Sequence, residues 1–255
     1  MNKKQQGCIG IIARLGSKRL NDKHLININD QPIISYLIQR IKKEFVKEIK
    51  NEQIEIFILT GNRRINKQLG QIAIENDISI YFGHNTNIPR RMFGIIKEKF
   101  FNFIISVDGD DILCAPEGMR QVYNSILEGN QYVKTVGYPF GMNSMGMTKN
   151  FLSNSLNGKG DRNLETGWGW IFDEKQCKNI GDTIPSDERL RFTLDYPDDL
   201  VFFKNIINSN LDVLSVSTSD LINFVLKNKI YFKNMDLNKE YWEKFKTQKL
   251  LEMKE

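Results

Sequence analysis

A chain of 255 residues with 40% hydrophobic content can bury one main core, so a single α/β domain with an appendage is the default organisation. The net charge of +5 comes from 36 basic and 31 acidic residues scattered without a long basic block, which suits an anionic small molecule as readily as nucleic acid. Cys8, Cys114 and Cys177 form no CxxC pair and leave an odd count, which argues against a disulfide framework or a zinc site. With no signal peptide ahead of the first strand and no apolar run near the roughly 20 residues of a membrane span, the expectation is a soluble, cytoplasmic protein.

GCIGIIA (7–13) reads as a buried strand. PIISYLIQRIKKEFVKEI (32–49) reads as a helix, because Ile33, Leu37, Ile41 and Phe45 recur every fourth residue behind a proline suited to a first turn. A strand at IEIFILT (54–60), a helix near 64–76, a strand at ISIYF (78–82) and a helix near 88–100 follow. FIISV (103–107) is the next strand and PEGMRQVYNSIL (116–127) the next helix. Such alternation implies parallel strands with right-handed crossovers and helices on both faces of a doubly wound sheet, whose ligand lies beyond the carboxyl ends of the strands.

After QYVKTVGYPF (131–140) the rhythm breaks. Residues 141–167, rich in Gly, Asn, Ser and Met, read as a long loop within an excursion spanning about 141–188. Order returns with GWGWIF (167–172) and with RLRFTLDY (189–196), an apolar strand running into a helix opened by Pro197. A helix at 218–227 and a Lys-rich solvated helix at 238–255 make up a C-terminal tail over about 218–255. No internal repeat or linker divides residues 1–255.

The segment IIARLGSKRLNDKHL (11–25) gathers cations and glycine at the carboxyl end of the first strand. Backbone N–H groups freed by Gly16, with Ser17, Arg14, Arg19 and Lys23, form a concavity for phosphate oxygens, which Arg grips as a fork and Lys meets as a point charge. Neither GxxxxGK[ST] nor GxGxxG is present. On spacing alone a solvated basic turn is an equal reading.

The whole stretch IIARLGSKRLNDKHLININDQPIISYLIQRI resembles the amino-terminal signature of cytidylyltransferases that make CMP-sugars, ARxGSxRLPGKxLxxxxGxPxIxxxxxR. The spore-coat polysaccharide, KDO and acylneuraminate branches are similar to it. Ala13, Arg14, Gly16, Ser17, Arg19, Leu20, Lys23, Leu25, Pro32 and Arg40 carry the match, with Asn21, Asp22 and Asp30 departing from it. SVDGDDIL (106–113) is similar to the family's GD(C/E)P motif, with Ile112 at the proline, and RLRFTLDYPDDLVFFKNI (189–206) to RLTVDYPEDLxxxxxI. The resemblance implies a mostly parallel, Rossmann-like and GT-A-like α/β sheet with an inserted arm or lid. It also implies CMP transfer from CTP to a sugar acid or related acceptor, with release of pyrophosphate, in surface-glycan biosynthesis. A homodimer joined through residues 141–188 goes with it, and neither nucleic acid nor a membrane span enters the reading. A nucleotidylyltransferase for a sugar 1-phosphate with another base, and a catalytically inactive nucleotide-binding relative, stay open.

Asp110 and Asp195 each follow an apolar strand and would project into the crevice that the basic loop faces. Carboxylates facing a triphosphate imply bridging Mg²⁺, and by resemblance the metal ligands are Asp110 and Asp195, with Asp108 in a second layer or as an alternative. Arg14, Arg19, Lys23, Asp110 and Asp195 form the expected catalytic set. Asp198 and Asp199 complement the amino end of the helix after Pro197. By resemblance Thr60, Gly61 and Asn62 read the base, although by sequence alone that loop is a plain turn. GHNTNIPRR (83–91) puts Asn87 at a family Asp and Arg91 at a family Arg, which either touches phosphate or stabilises the fold nearby; Arg90 is assigned to the surface. For the acceptor, Arg162, Arg189 and Arg191 offer cations, Glu165 accepts hydroxyls and Trp168 or Trp170 stacks on a ring, core packing being the commoner use of such tryptophans. His24 and His84 lack metal spacing and read as surface or hydrogen-bonded residues.

Overall fold

The computed structural model describes residues 6–181 and 187–254. Within the excursion read at 141–188, residues 182–186 lie outside the described residues. The chain runs β1 (Gly7–Ile12), the short strands β2 (Asn27–Ile28) and β3 (Gln31–Pro32), α1 (Ile34–Glu44), α2 (Val46–Lys50), β4 (Ile54–Thr60), α3 (Lys67–Glu75), β5 (Ser79–Phe82), α4 (Ile88–Lys99), β6 (Phe103–Asp108) and α5 (Pro116–Leu127). It continues through β7 (Tyr132–Thr135), β8 (Met145–Thr148), α6 (Lys149–Leu156), β9 (Cys177–Ile180), α7 (Pro197–Ile207), α8 (Thr218–Lys227) and α9 (Leu237–Lys254).

Seven of these strands form one sheet in the order β5-β4-β1-β6-β8-β7-β9, and only β8 runs against its neighbours. The doubly wound, mostly parallel α/β reading holds. β1 sits between β4 and β6 with every residue buried. Its alternate side chains feed both faces: Ile9 and Ile11 pack with Leu37, Leu69 and Met119 from α1, α3 and α5, while Cys8 and Ile12 pack with Met92, Ile95 and Phe151 from α4 and α6. Each such fully buried apolar side chain stabilises by about 1.5–3 kcal/mol. A third cluster joins Phe192 and Leu194 to Phe202, Phe203, Leu221 and Val225 of α7 and α8 and to Ile112 and Leu113.

Four local differences from the sequence reading have physical causes. Pro32 lies in β3, so the first long helix opens at Ile34, and it breaks at Phe45, which is buried. MGMT within the expected loop is β8, paired with both β6 and β7, and α6 follows it. RLRFTLDY is not a strand of the sheet. Its Leu190, Phe192 and Leu194 are buried as the alternation predicts, but Arg191, Thr193 and Asp195 on the opposite side are buried too. Its backbone bonds go to loops instead: Phe192 N–H donates to Phe140 O at 2.7 Å and Leu194 N–H to Asp110 O at 2.9 Å. Finally, the Lys-rich tail is docked, since the Glu252 carboxylate is buried and accepts from Thr166 N–H at 2.8 Å.

Candidate active site

The basic loop leaves β1 at Ala13, whose N–H donates to Leu59 O of β4, and Leu15 N–H is held by Asn66 Oδ1 at 2.8 Å. Gly16 turns the chain at φ +80, which an L side chain rarely adopts, and its N–H donates to Asp22 Oδ1 at 3.3 Å. A short 3-10 turn, Lys23–Leu25, then aims Lys23 back at the carboxyl ends of the strands. Gly109 permits the approach from the other side, because a Cβ there would stand 2.9 Å from Ala13 Cβ and 3.2 Å from His24 Nε2.

Cations and carboxylates converge at this point. Lys23 is buried, and its Nζ donates to Asp110 Oδ2 at 2.6 Å and to Asp195 Oδ1 at 2.9 Å. Arg19 reaches the same Asp195 oxygen at 2.5 Å, and Arg191 Nη2 reaches Asp195 Oδ2 at 3.1 Å. His24 Nε2 lies 2.8 Å from Asp110 Oδ1. Asp110 and Asp195 thus meet as expected, brought together by the Leu194–Asp110 backbone bond. Both are already paired, and Asp195 alone serves three cations. Asp108 faces the cleft and accepts no side-chain hydrogen bond among the described residues.

The electrostatics follow this pairing. Desolvation would raise the Asp110 carboxyl, but Lys23 and His24 outweigh it and hold the group well below the usual carboxylate range. Asp108, at the exposed end of β6, accepts no such hydrogen bond among the described residues. Desolvation at the floor of the cleft, together with the charge of Asp110, pushes its carboxyl up to about 7 against the opposing charge of Lys23. Burial, with Asp108 and Asp110 nearby, raises Asp111 well above its ordinary value despite a hydrogen bond from Thr193.

Above these groups lies a cleft of about 1320 Å³ bordered by Ala13, Arg14, Gly16, Ser17, Arg19, Lys23, Arg91, Asp108, Asp110, Glu165 and Trp168. Arg14 Nη2 comes 3.4 Å from Glu165 across it. Arg91 is buried, donating to His84 O and Asn85 O, and its burial lowers it to about 10. It therefore anchors the loop beneath the cleft. Asn87 caps α4 by accepting Arg90 N–H and donates to Arg162 O, a bond an aspartate could not supply.

Other expected site residues lie outside the cleft lining. Thr60 is sealed, and its Oγ1 has no partner among the described residues. Gly61 packs against Asn85, and Asn62 is exposed, with Oδ1 accepting Arg64 N–H at 2.9 Å in a local turn. Of the three acceptor arginines, Arg191 is fully enclosed between Asp195 and Asp199. Arg189 pairs with Asp187 at 2.6 Å beside Tyr231, and Arg162 donates to Lys159 O and stands 5.8 Å from the Trp170 ring. Asp199 caps α7 as read, accepting Tyr196 N–H, and also holds Asp195 N–H and Arg191. Trp168 is mostly buried in the α4 and α6 cluster while touching the cleft.

The sequence reading missed the contribution of α9. Tyr241, Lys244, Gln248 and Lys249 line the cleft, with the Lys249 stem against Gly167. The sequence had offered there only a Lys-rich helix read as solvated. Among the described residues no helix is long and apolar enough to cross a membrane, and no group of three or more His, Cys, Asp or Glu is arranged to hold a metal ion.

The Cytidylyltransferase family model matches residues 9–162, more than half of the chain and including the basic loop, Asp108 and Asp110. A curated protein of Methanocaldococcus jannaschii, Uncharacterized protein MJ1063, is 24% identical over 237 residues, 90% of this chain and 94% of its own. A cytidylyltransferase from Leptospira borgpetersenii serovar Hardjo-bovis superimposes with a TM-score of 0.78 at 20% identity, over 90% of this chain and 98% of that one. CMP:2-keto-3-deoxy-manno-octonic acid synthetase complexed with CTP gives a TM-score of 0.56 at 14% identity, over 81% of this chain and 100% of that one. These solved structures share the fold, and the family match, covering the loop that gathers the cations, makes this chain a member of the cytidylyltransferase family and a CTP-dependent nucleotidyltransferase.

Proposed function

We propose that the protein transfers CMP from CTP to a hydroxyl of a sugar acid or related acceptor, releasing pyrophosphate, in surface-glycan biosynthesis. The observation that carries the reading is Lys23 Nζ within hydrogen-bond reach of both Asp110 and Asp195, with Arg19 beside it, at the carboxyl ends of parallel strands. A triphosphate laid along the loop draws Arg19 and Lys23 onto its oxygens. The acceptor oxygen bonds to the α-phosphorus as the bond to the bridging α–β oxygen breaks, pyrophosphate leaves with the electron pair, and the hydroxyl proton passes to solvent. The chain's part is positioning and charge neutralisation.

Mg²⁺ fits this donor set. Asp110 and Asp195 come within reach of one shared cation, Asp108 adds an open carboxylate, and Mg²⁺ takes one or two carboxylates with water and phosphate oxygens completing its shell. Asp110 and Asp195 would hold it as Lys23 and Arg19 turn to phosphate, and the ion would neutralise charge on the phosphoryl oxygens. The related synthetase is named for a keto-deoxy sugar acid, and Glu165, Trp168, Gln248 and Lys249 give the rest of the cleft hydroxyl, ring and anion partners. A homodimer through residues 141–188 belongs to the same reading, and a mass measurement at micromolar concentration tests it.

Thermal shift with Mg²⁺ and CTP, UTP, GTP or ATP, followed by pyrophosphate release over a panel of 2-keto-3-deoxy sugar acids, tests the chemistry. CTP should stabilise most and at least one acid should release pyrophosphate. Equal stabilisation by UTP or GTP, or no release with any acid, overturns the base or the acceptor assignment.

A further inference from the structure

The helix α9 lies wholly beyond the residues matched by the family model, yet its side chains line the cleft and it is fastened at both ends. At its carboxyl end Glu252 accepts Thr166 N–H. At its amino end Tyr241 and Trp242 pack on Phe140, with ring centroids 5.0 and 4.9 Å away. Tyr241 also stands between two arginines of unlike freedom. Arg191, fully enclosed, is 4.8 Å from its ring centroid, and Arg19, whose side chain is 39% exposed, is 5.6 Å from it and 5.6 Å from the Tyr196 ring.

Arg19 needs such support. It extends from a loop turned by a positive-φ glycine, and a long side chain there loses rotamer freedom when it takes up a ligand. Its one salt bridge among the described residues is to Asp195, a carboxylate it must release to reach phosphate. An aromatic ring attracts a guanidinium without occupying its N–H donors, so ring contacts can hold Arg19 in place while its fork is handed from carboxylate to phosphate.

We infer that α9 is part of the nucleotide site and that Tyr241 is a positioning residue which pre-orients Arg19 for the triphosphate of CTP. The inference rests on the phosphate role given to Arg19 under the proposed function. Because coupling is reciprocal, CTP held by Arg19 must also favour the docked position of α9.

A double-mutant cycle read by calorimetry with MgCTP tests this. Tyr241→Met, which fills similar space without a ring, should weaken CTP binding about tenfold, whereas Tyr241→Phe should restore it. In the Arg19→Ala background Tyr241→Met should add no further loss. Equal weakening in both backgrounds, or none in the parent, overturns the positioning role. Hydrogen exchange gives a second measurement that leaves α9 untouched: saturating MgCTP should slow exchange of the α9 amides in the parent and not in Arg19→Ala. Slowing to the same degree in both overturns the coupling to Arg19. If Arg19→Ala binds CTP like the parent, the phosphate assignment falls first and this inference with it.

Discussion

Asp199 accepts the Nε–H of Arg191 at 2.8 Å and an Nη2–H at 3.2 Å inside the protein, and the same Nη2 donates to Asp195 at 3.1 Å. The same carboxylate accepts the Asp195 and Tyr196 N–H groups, each at 2.9 Å, and the Asn234 amide at 2.8 Å. Asp199→Ala should therefore strand a buried cation and several donors, costing about 3–5 kcal/mol of stability. Asp198→Asn, on the exposed side of the same turn, should cost from a few tenths to about 1 kcal/mol. Urea denaturation of the two variants decides, and equal losses would contradict the division of roles.

Lys23→Met keeps the apolar stem and removes the ammonium shared by Asp110 and Asp195. Two carboxylates are then left facing each other, and the triphosphate loses a cation. Turnover should fall at least about 100-fold, the scale for losing one preorganised charge contact. Lys18→Ala, on the exposed part of the loop, should stay within about threefold. Steady-state kinetics in CTP compares them, and a Lys23→Met enzyme with parental kcat/KM would remove Lys23 from the chemistry.

Stability without nucleotide should depend on pH through Asp108. Its carboxyl rises from the ordinary 3.8 to about 7 in the folded chain, so between those values the folded state holds the proton that the unfolded state has released. Stability from this group is full below about pH 4 and is lost as pH climbs to about 7. Asp111, also raised, acts in the same direction, while the depressed Asp110 matters only in stronger acid. The melting temperature should be higher at about pH 5 than at about pH 8, and Asp108→Asn should shrink the difference. A parent that melts higher at pH 8 would reverse the assignment.

Arg189 pairs with Asp187 and rests on Tyr231 away from the cleft lining. Arg189→Ala should leave kcat/KM for both substrates within about twofold, as for other surface changes. Lys249→Ala should raise the KM for an anionic acceptor while sparing that for CTP. If initial-rate measurements find the larger acceptor effect at Arg189, the acceptor lies on another face.

The parallel core was legible because β1, β4 and β6 are apolar runs buried on both faces, and α4 and α5 carry a proline near their first turn with regular apolar spacing. β8 was not. MGMT is four residues beside glycine, asparagine and serine, and it becomes a strand because β6 and β7 offer it two ladders. In the site, the basic loop and Asp110 sit where strands end, and resemblance to the family signature singled them out where spacing alone left a solvated turn as an equal reading. The pairing of Arg191 could not be read, because its partners Asp195 and Asp199 lie four and eight residues on, and only the fold shows that all three point inward. α9 hid for a related reason: Glu252 in a Lys-rich stretch reads as solvated until Thr166 meets it.

Asp195 bears the ends of Arg19, Lys23 and Arg191 at once, and this redundancy makes the outermost of the three expendable. When Arg19 and Lys23 turn to phosphate, Arg191 still holds the carboxylate from inside the protein, so the transfer avoids the several-kcal/mol penalty of uncovering a buried ion. The pocket therefore works like a relay in which the mobile runners are released because the enclosed Arg191 still holds the post.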